Sequence, residues 1–200
     1  MEQLERWLEE DLWAKLTEAT GHERIDVLFE LGSRASQRQD FATASTLWQE
    51  IEAAAEECLD VPAAAEAIRL QGNAAFHTGN FFEAMEFYSR AAKAYEIVGR
   101  PRDVAIALWG LGDSCRALGD HESQLAAAQD CRSIAESEAA LTLAGDACLL
   151  EARALYMLDR DEEAVASCTA GRNHFRAAGL PERVIEADDF AVTVHLYLGN

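Results

Sequence analysis

The sequence of 200 residues predicts an all-α solenoid of about ten antiparallel helices. Three observations predict it. Residue types recur in register every forty positions. Prolines and glycines punctuate the chain between stretches of about 17 residues. Within those stretches the apolar residues follow helical spacing. The composition agrees, since Ala is abundant, β-branched residues are few and only three residues are proline.

The register is read from several columns at once. Gly32, Gly72, Gly112 and Ala152 form a column of small residues, and Leu28, Ile68, Leu108 and Cys148 an apolar one. Ala35, Ala75, Cys115 and Leu155 form a third, and Trp48, Tyr88, Ala128 and Cys168 a fourth in which size varies. Small residues facing a neighbouring helix let two helices approach closely. Each forty-residue period is expected to contain two breaks. One is a tight turn at Gly79-Asn80, Gly119-Asp120, Asp159-Arg160 and Gly199-Asn200. The other is a loop near 59–62, 99–101, 137–140 and 179–181, where Pro62, Pro101 and Pro181 start helices and Gly99 and Gly179 end them.

In chain order, residues 1–20 form an N-terminal capping helix. Its Leu4 and Leu8 fall in the columns of Ala44 and Trp48, and Leu12, Trp13 and Leu16 continue an apolar stripe. Residues 22–60 make the first repeat, through Gly32, Phe41, Ala44 and Trp48. Residues 61–100 make the second, whose latter helix shows Phe82, Met85, Tyr88, Ala91, Ala92 and Tyr95 on one face. Residues 101–139 make the third, with Val104, Ala105, Leu108, Leu111, Cys115 and Leu118; Gln124 interrupts its Ala column. Residues 140–179 make a weaker fourth, with Asp159 at the turn and Glu151 in an apolar place. Residues 180–200 form a last helix that is apolar on most sides, where a cap should be polar outside. It is therefore read as a cap or as an interface.

Charge narrows the function classes. The formal net charge is −19, from 36 acidic and 17 basic residues, and it is spread along the chain rather than focused. That disfavours nucleic acid and anionic membrane surfaces. No apolar run is long enough for a membrane span, and the start lacks the pattern of a signal peptide. Five cysteines without paired spacing read as reduced thiols in a cytoplasmic protein. The five histidines are dispersed, with no metal-ligand spacing, no phosphate-binding Gly-rich loop and no Gly-x-Ser-x-Gly. No enzyme, metal or cofactor is expected.

The segment Ile68–Phe76, followed by Gly79-Asn80-Phe81-Phe82-Glu83-Ala84 and then Tyr88 and Ala91, resembles a tetratricopeptide repeat. The forty-residue step is similar to the long-helix variety found in kinesin light chains and in the sensor regions of some bacterial transcription activators. The resemblance implies a right-handed superhelix. It further implies that the first helix of each pair lines a concave groove holding a peptide or partner helix. The groove residues expected on that basis are Phe29, Glu30, Arg69, Asn73, His77, Trp109, Asp113, Arg116, Arg153 and Met157, with Ser33, Gln37 and Leu149 beside them. Arg69 and Asn73 match the basic-then-Asn pair with which some family members hold a peptide carboxylate. Gly110, Asp146 and Leu150 depart from that pattern.

Two functions follow as expectations. The first is a non-enzymatic scaffold or adaptor for a protein partner. The second is a peptide- or ligand-sensing module acting through a partner. A decoy for a basic protein surface is a third, disfavoured by the spread of charge. A homodimer through the last helix, by way of Phe190, Val194 and Tyr197, is the expected self-association.

Overall fold

The computed structural model describes residues 2–198, and the side chains of 9–196. Among these the chain forms ten helices and no strand: α1 (Glu2–Glu18), α2 (Gly21–Gln37), α3 (Phe41–Glu57), α4 (Val61–His77), α5 (Phe81–Ile97), α6 (Pro101–Leu118), α7 (His121–Ser137), α8 (Leu141–Met157), α9 (Asp161–Ala177) and α10 (Pro181–Leu198). The side chains of Leu4, Leu8 and Tyr197, and the final Gly199-Asn200, lie outside what is described.

The two kinds of break are in fact one. A residue with positive φ sits at Gln39, Leu59, Gly79, Gly99, Gly119, Ala139, Asp159 and Gly179, every twenty residues. At each site the next amide reaches back five residues to the preceding helix, as from Asp40 to Ala35 and from Asp60 to Ala55 (2.9 and 2.8 Å), or from Leu180 to Phe175 (2.9 Å). This is one helix-ending motif repeated. The loops expected near 59–62 and 137–140 are therefore turns as tight as the one at Gly79. The new helix starts at once, often under an acidic cap. Asp40, Asp60 and Asp120 accept from the amides of Thr43, Ala63 and Ser123 at 3.0–3.1 Å. Pro62, Pro101 and Pro181 occupy first turns, where a missing N–H costs nothing.

The chain divides into two compact units, residues 1–94 and 95–200. In the first, Leu28, Leu31, Trp48, Ile51 and Ala55 are the centre of a core to which Phe29 and Leu12 add. A Cβ on Gly32 would stand 2.5 Å from the Trp48 ring, and one on Gly72 3.0 Å from the Tyr88 ring. The small-residue column is thus the slot for an aromatic of the following helix.

In the second unit the same slot is filled differently. The fourth column there offers only Ala128 and Cys168, so Leu150 reaches to within 2.8 Å of where a Gly112 Cβ would be. Phe175 instead enters against Gly145. The Gln124 irregularity has a partner: its Nε2 donates to the Leu150 carbonyl at 2.9 Å from a fully buried position. Glu151, also buried, accepts from Arg132 at 3.1 Å. Both polar residues are satisfied inside the packing, as buried polar groups must be.

Candidate functional site

In the first unit the expected groove residues are already engaged. Phe29 is half-buried against Trp48, with ring centroids 5.9 Å apart. Glu30 is exposed and accepts from Arg34 at 2.7 Å. Arg69 donates through Nε to Glu66 at 3.0 Å, and its side chain is only 18% exposed. Asn73 accepts the Tyr88 hydroxyl at 2.7 Å. The guanidinium and amide that match part of the carboxylate-holding pattern both have partners within the protein itself. His77 is exposed and stacks on Phe41, 4.8 Å between centroids and 10° from parallel.

In the second unit α6 packs on α8, and α10 reaches α8 through side chains. Trp109 on α6 is 37% exposed and Met157 on α8 is 56% exposed. Arg116 donates to Asp113 at 2.7 Å. Arg153 donates to Glu186 at 3.1 Å, and its guanidinium lies 6.0 Å from the Phe190 ring centre. Arg183 joins Glu186 to Asp146 and sits 4.8 Å over the Phe175 ring. Burial pushes the Asp146 carboxyl up, against the pull of Arg183. The face is a row of paired charges set between two exposed apolar side chains. Such a surface keeps its ion pairs ordered and leaves Trp109 partly open to solvent.

Sequence reasoning missed Arg183 and Glu186. Their spacing of three along one helix was the available signal. It also placed two residues wrongly. Leu149, expected to line the groove, is 2% exposed and packs with Phe175 and Ala187. Val194, expected at an oligomer interface, is fully buried with Leu125, Leu155 and Ala164. An α10 residue at this position turns toward its own chain, because there α10 packs on the pair before it. Phe190 is half-buried, edge-on to Tyr156 at 6.0 Å. The large apolar α10 side chains that do stand out among the described ones are Ile185, Val192 and Leu196, 60%, 56% and 66% exposed.

Four of the five cysteine thiols are buried. Burial pushes Cys131 and Cys148 up to about 12, and Cys115 and Cys168 up to about 11. Burial thus disfavours the thiolate, the reactive form, at these four positions. Among the described residues no group of three His, Cys, Asp or Glu side chains is placed to hold a metal ion. No described helix is long and apolar enough to cross a membrane.

Helix pairs ended by one motif, packed small against large, with first helices presenting side chains on one face, define an α-helical repeat protein. Residues 63–137 match the model of the tetratricopeptide repeat family, so this segment is a tetratricopeptide-repeat segment and the fold around it is of that kind. The family is one of protein-interaction modules. A comparison with curated proteins finds no match. Among solved structures the chain is similar to a signal-transduction ATPase with numerous domains from Pyrococcus horikoshii that carries a tetratricopeptide repeat sensor. The TM-score is 0.80 at 16% identity, over 97% of this chain and 31% of that one. It is also similar to a Rap protein complexed with competence and sporulation factor (TM-score 0.63, 14% identity, 94% of this chain and 56% of that one). A kinesin light chain with nearly identical repeats from Podosopora anserina gives 0.62 at 15% identity, over 88% and 96% of the two chains. The chain thus spans about a third of the ATPase and about half of the Rap protein. At these identities the likeness is one of fold.

Proposed function

We propose that this protein is a non-enzymatic scaffold whose second unit holds a peptide or partner helix on the face formed by α6, α8 and α10. The observation that carries this reading is the exposure of Trp109 beside the Asp113–Arg116 pair, with Met157 exposed on the neighbouring first helix. A large aromatic left open on a surface costs solvation and supplies most binding energy when a partner covers it. Arg116 and Arg153 orient the partner's acidic or carbonyl groups, and the paired Asp113 and Glu186 keep them in place. The net charge of −19 turns nucleic acid away and favours a protein partner. Buried, high-pKa thiols suit a reducing compartment, the cytoplasm.

A sensing role is the second reading. It is favoured by the likeness to the sensor-bearing ATPase and to the Rap protein seen with its factor. In that reading the same face takes a peptide, and the change is passed to a partner. A homodimer through α10 no longer has Val194 to draw on and would bring like charges together.

Pull-down from lysate of the source organism tests the scaffold, comparing wild type with Trp109→Ala. Loss of about tenfold or more in a specific partner is expected, as for a hot-spot aromatic. Equal recovery by the two proteins contradicts binding on this face. Retention of the partner at about 0.3 M salt separates this reading from a purely electrostatic decoy.

A further inference from the structure

The first unit leaves open a space that the second unit fills. In the second unit Leu125 and Leu155 pack with Ala154 and Ala164, and Leu158 packs against them. Two periods earlier in the chain, the first unit has Ser45, Ala75 and Thr78 in place of the three leucines. All three line a cavity of about 310 Å³ between α3, α4 and α5. Phe41 and Phe87 stand in its walls, and Gln71 lines it from α4. One period to either side of Gln71 the chain has Leu31 and Leu111. Gln71 is 2% exposed, so its amide is a polar group held inside the packing.

That amide is oriented by its neighbours. Arg90 on α5 pairs with Glu52 on α3, and Glu52 accepts from Gln71 Nε2 at 2.7 Å. Nε2 is therefore taken. No described residue donates to Oε1, which is left as an acceptor on the cavity wall. The Thr78 hydroxyl donates to the Ala74 and Ala75 carbonyls at 3.0 Å, so it too offers lone pairs to the cavity. Glu83 lines the cavity, is exposed, and pairs with no described base. Among the described lining residues none is basic, and Arg90, which lies over the Phe87 ring, is matched by Glu52.

We propose that this cavity binds a small primary alkylammonium compound, its ammonium donating to the acceptors of Gln71, Thr78 and Glu83 and its alkyl body lying against Phe41 and Phe87. An ammonium carries three donors and no acceptor, the complement of this lining. It supplies the donor that a buried carbonyl oxygen otherwise lacks. The aromatic walls take the alkyl body, and a ring face attracts a cation. A carboxylate of the same length would set its oxygens against Gln71 Oε1 and Glu83, and an alcohol would bring one donor and no charge. The volume is at the lower end of small-molecule sites, which suits a short amine. The site lies within the first unit and uses nothing of the Trp109 face.

The test is an NMR titration of the whole 15N-labelled chain with 1-aminopentane. Saturable amide shifts are expected in residues 42–46, 71–78 and 83–87. Pentanoate and 1-pentanol should bind at least tenfold more weakly. Ser45→Leu fills the cavity with the residue that the second unit carries there, and should weaken amine binding at least tenfold. Gln71→Leu removes the buried acceptor without changing the charge and should do the same. Glu83→Gln, on an exposed side chain that cannot upset folding, should weaken binding at least threefold. Trp109→Ala should bind the amine as wild type does, which separates this site from the Trp109 face. The proposal is overturned if no shift saturates, or if pentanoate binds as well as the amine. Shifts spread over the acidic surface and unmoved by the Ser45, Gln71 and Glu83 variants would also overturn it, since they report diffuse attraction to a chain of charge −19. So would tighter binding of Nα-acetyl-lysine methylamide than of 1-aminopentane, because the occupant would then be a lysine side chain of another protein.

Discussion

Leu59 shows how a single backbone conformation sets the repeat. Its φ of 57° is the left-handed value that Gly79 and Gly119 adopt at equivalent turns, and its side chain is 87% exposed with nothing to pack on. An L-residue there costs roughly 1–2 kcal/mol, and glycine's extra chain entropy returns part of that. Leu59→Gly is therefore expected to stabilise by about 0.5–1 kcal/mol and to raise the melting temperature by about 1–4 °C. Gly32 is the opposite case. A Cβ there meets the Trp48 ring at 2.5 Å, so Gly32→Ala should destabilise by about 1–3 kcal/mol, read by denaturant unfolding. The turns at Gly79, Gly99, Gly119 and Gly179 were legible because only glycine adopts that conformation without strain. Gln39-Asp40 was in register with them, but the breaks at Leu59 and Ala139 were legible only as loops near 59–62 and 137–140, because packing of the two flanking helices imposes the conformation on an ordinary residue.

At the scale of the element, α1 is tied to α2 by polar contacts that include Lys15–Glu23, Arg24 to the Leu16 carbonyl, and a Glu9–Arg38 pair that pH can switch. Glu9 accepts hydrogen bonds from the two terminal guanidinium nitrogens of Arg38, the residue that caps α2. The Arg38 hydrogen bond holds the Glu9 carboxyl below its usual range, with burial opposing and Trp13 helping. A depressed carboxyl contributes stability above the unfolded value and loses it as pH falls through the folded one. Docking of α1 should therefore weaken below about pH 4. Arg38→Ala should produce the same loosening at pH 7, seen as faster amide exchange across residues 9–18 with residues 41–57 unchanged. Helix positions were legible from periodicity, because burial on one face imposes a spacing that survives substitution. The side-chain partners were less so. Arg69 pairs with Glu66 three residues before it, a pair the helical spacing allows, whereas Asn73 takes the Tyr88 hydroxyl from the next helix, a choice that depends on distances of a few ångströms and that no spacing encodes. The orientation of α10 was misjudged for a related reason. A helix apolar on most sides gives no periodicity from which to tell Val194, which faces inward, from Val192, which faces out.

For the whole molecule, composition and repeat together account for the character of the chain. Most of the arginines whose side chains are described enter ion pairs with nearby acids, as in Arg24–Glu50, Arg90–Glu52 and Arg160–Glu163. The acidic surplus is left to solvent, where it contributes solubility more than stability. The cysteines behave as core residues. Thiol labelling of the native protein at pH 8 should modify Cys58, the half-buried one, well before the four buried thiols. The central claim is that Trp109 marks the binding face, and the most direct measurement is site-specific photo-crosslinking in the source cells. A photoreactive residue is placed at 109 and, in a second protein, at Phe82, which is exposed at 62% on α5. The account predicts a discrete protein adduct from position 109 and none from position 82. Adducts from 82 with none from 109 would contradict it.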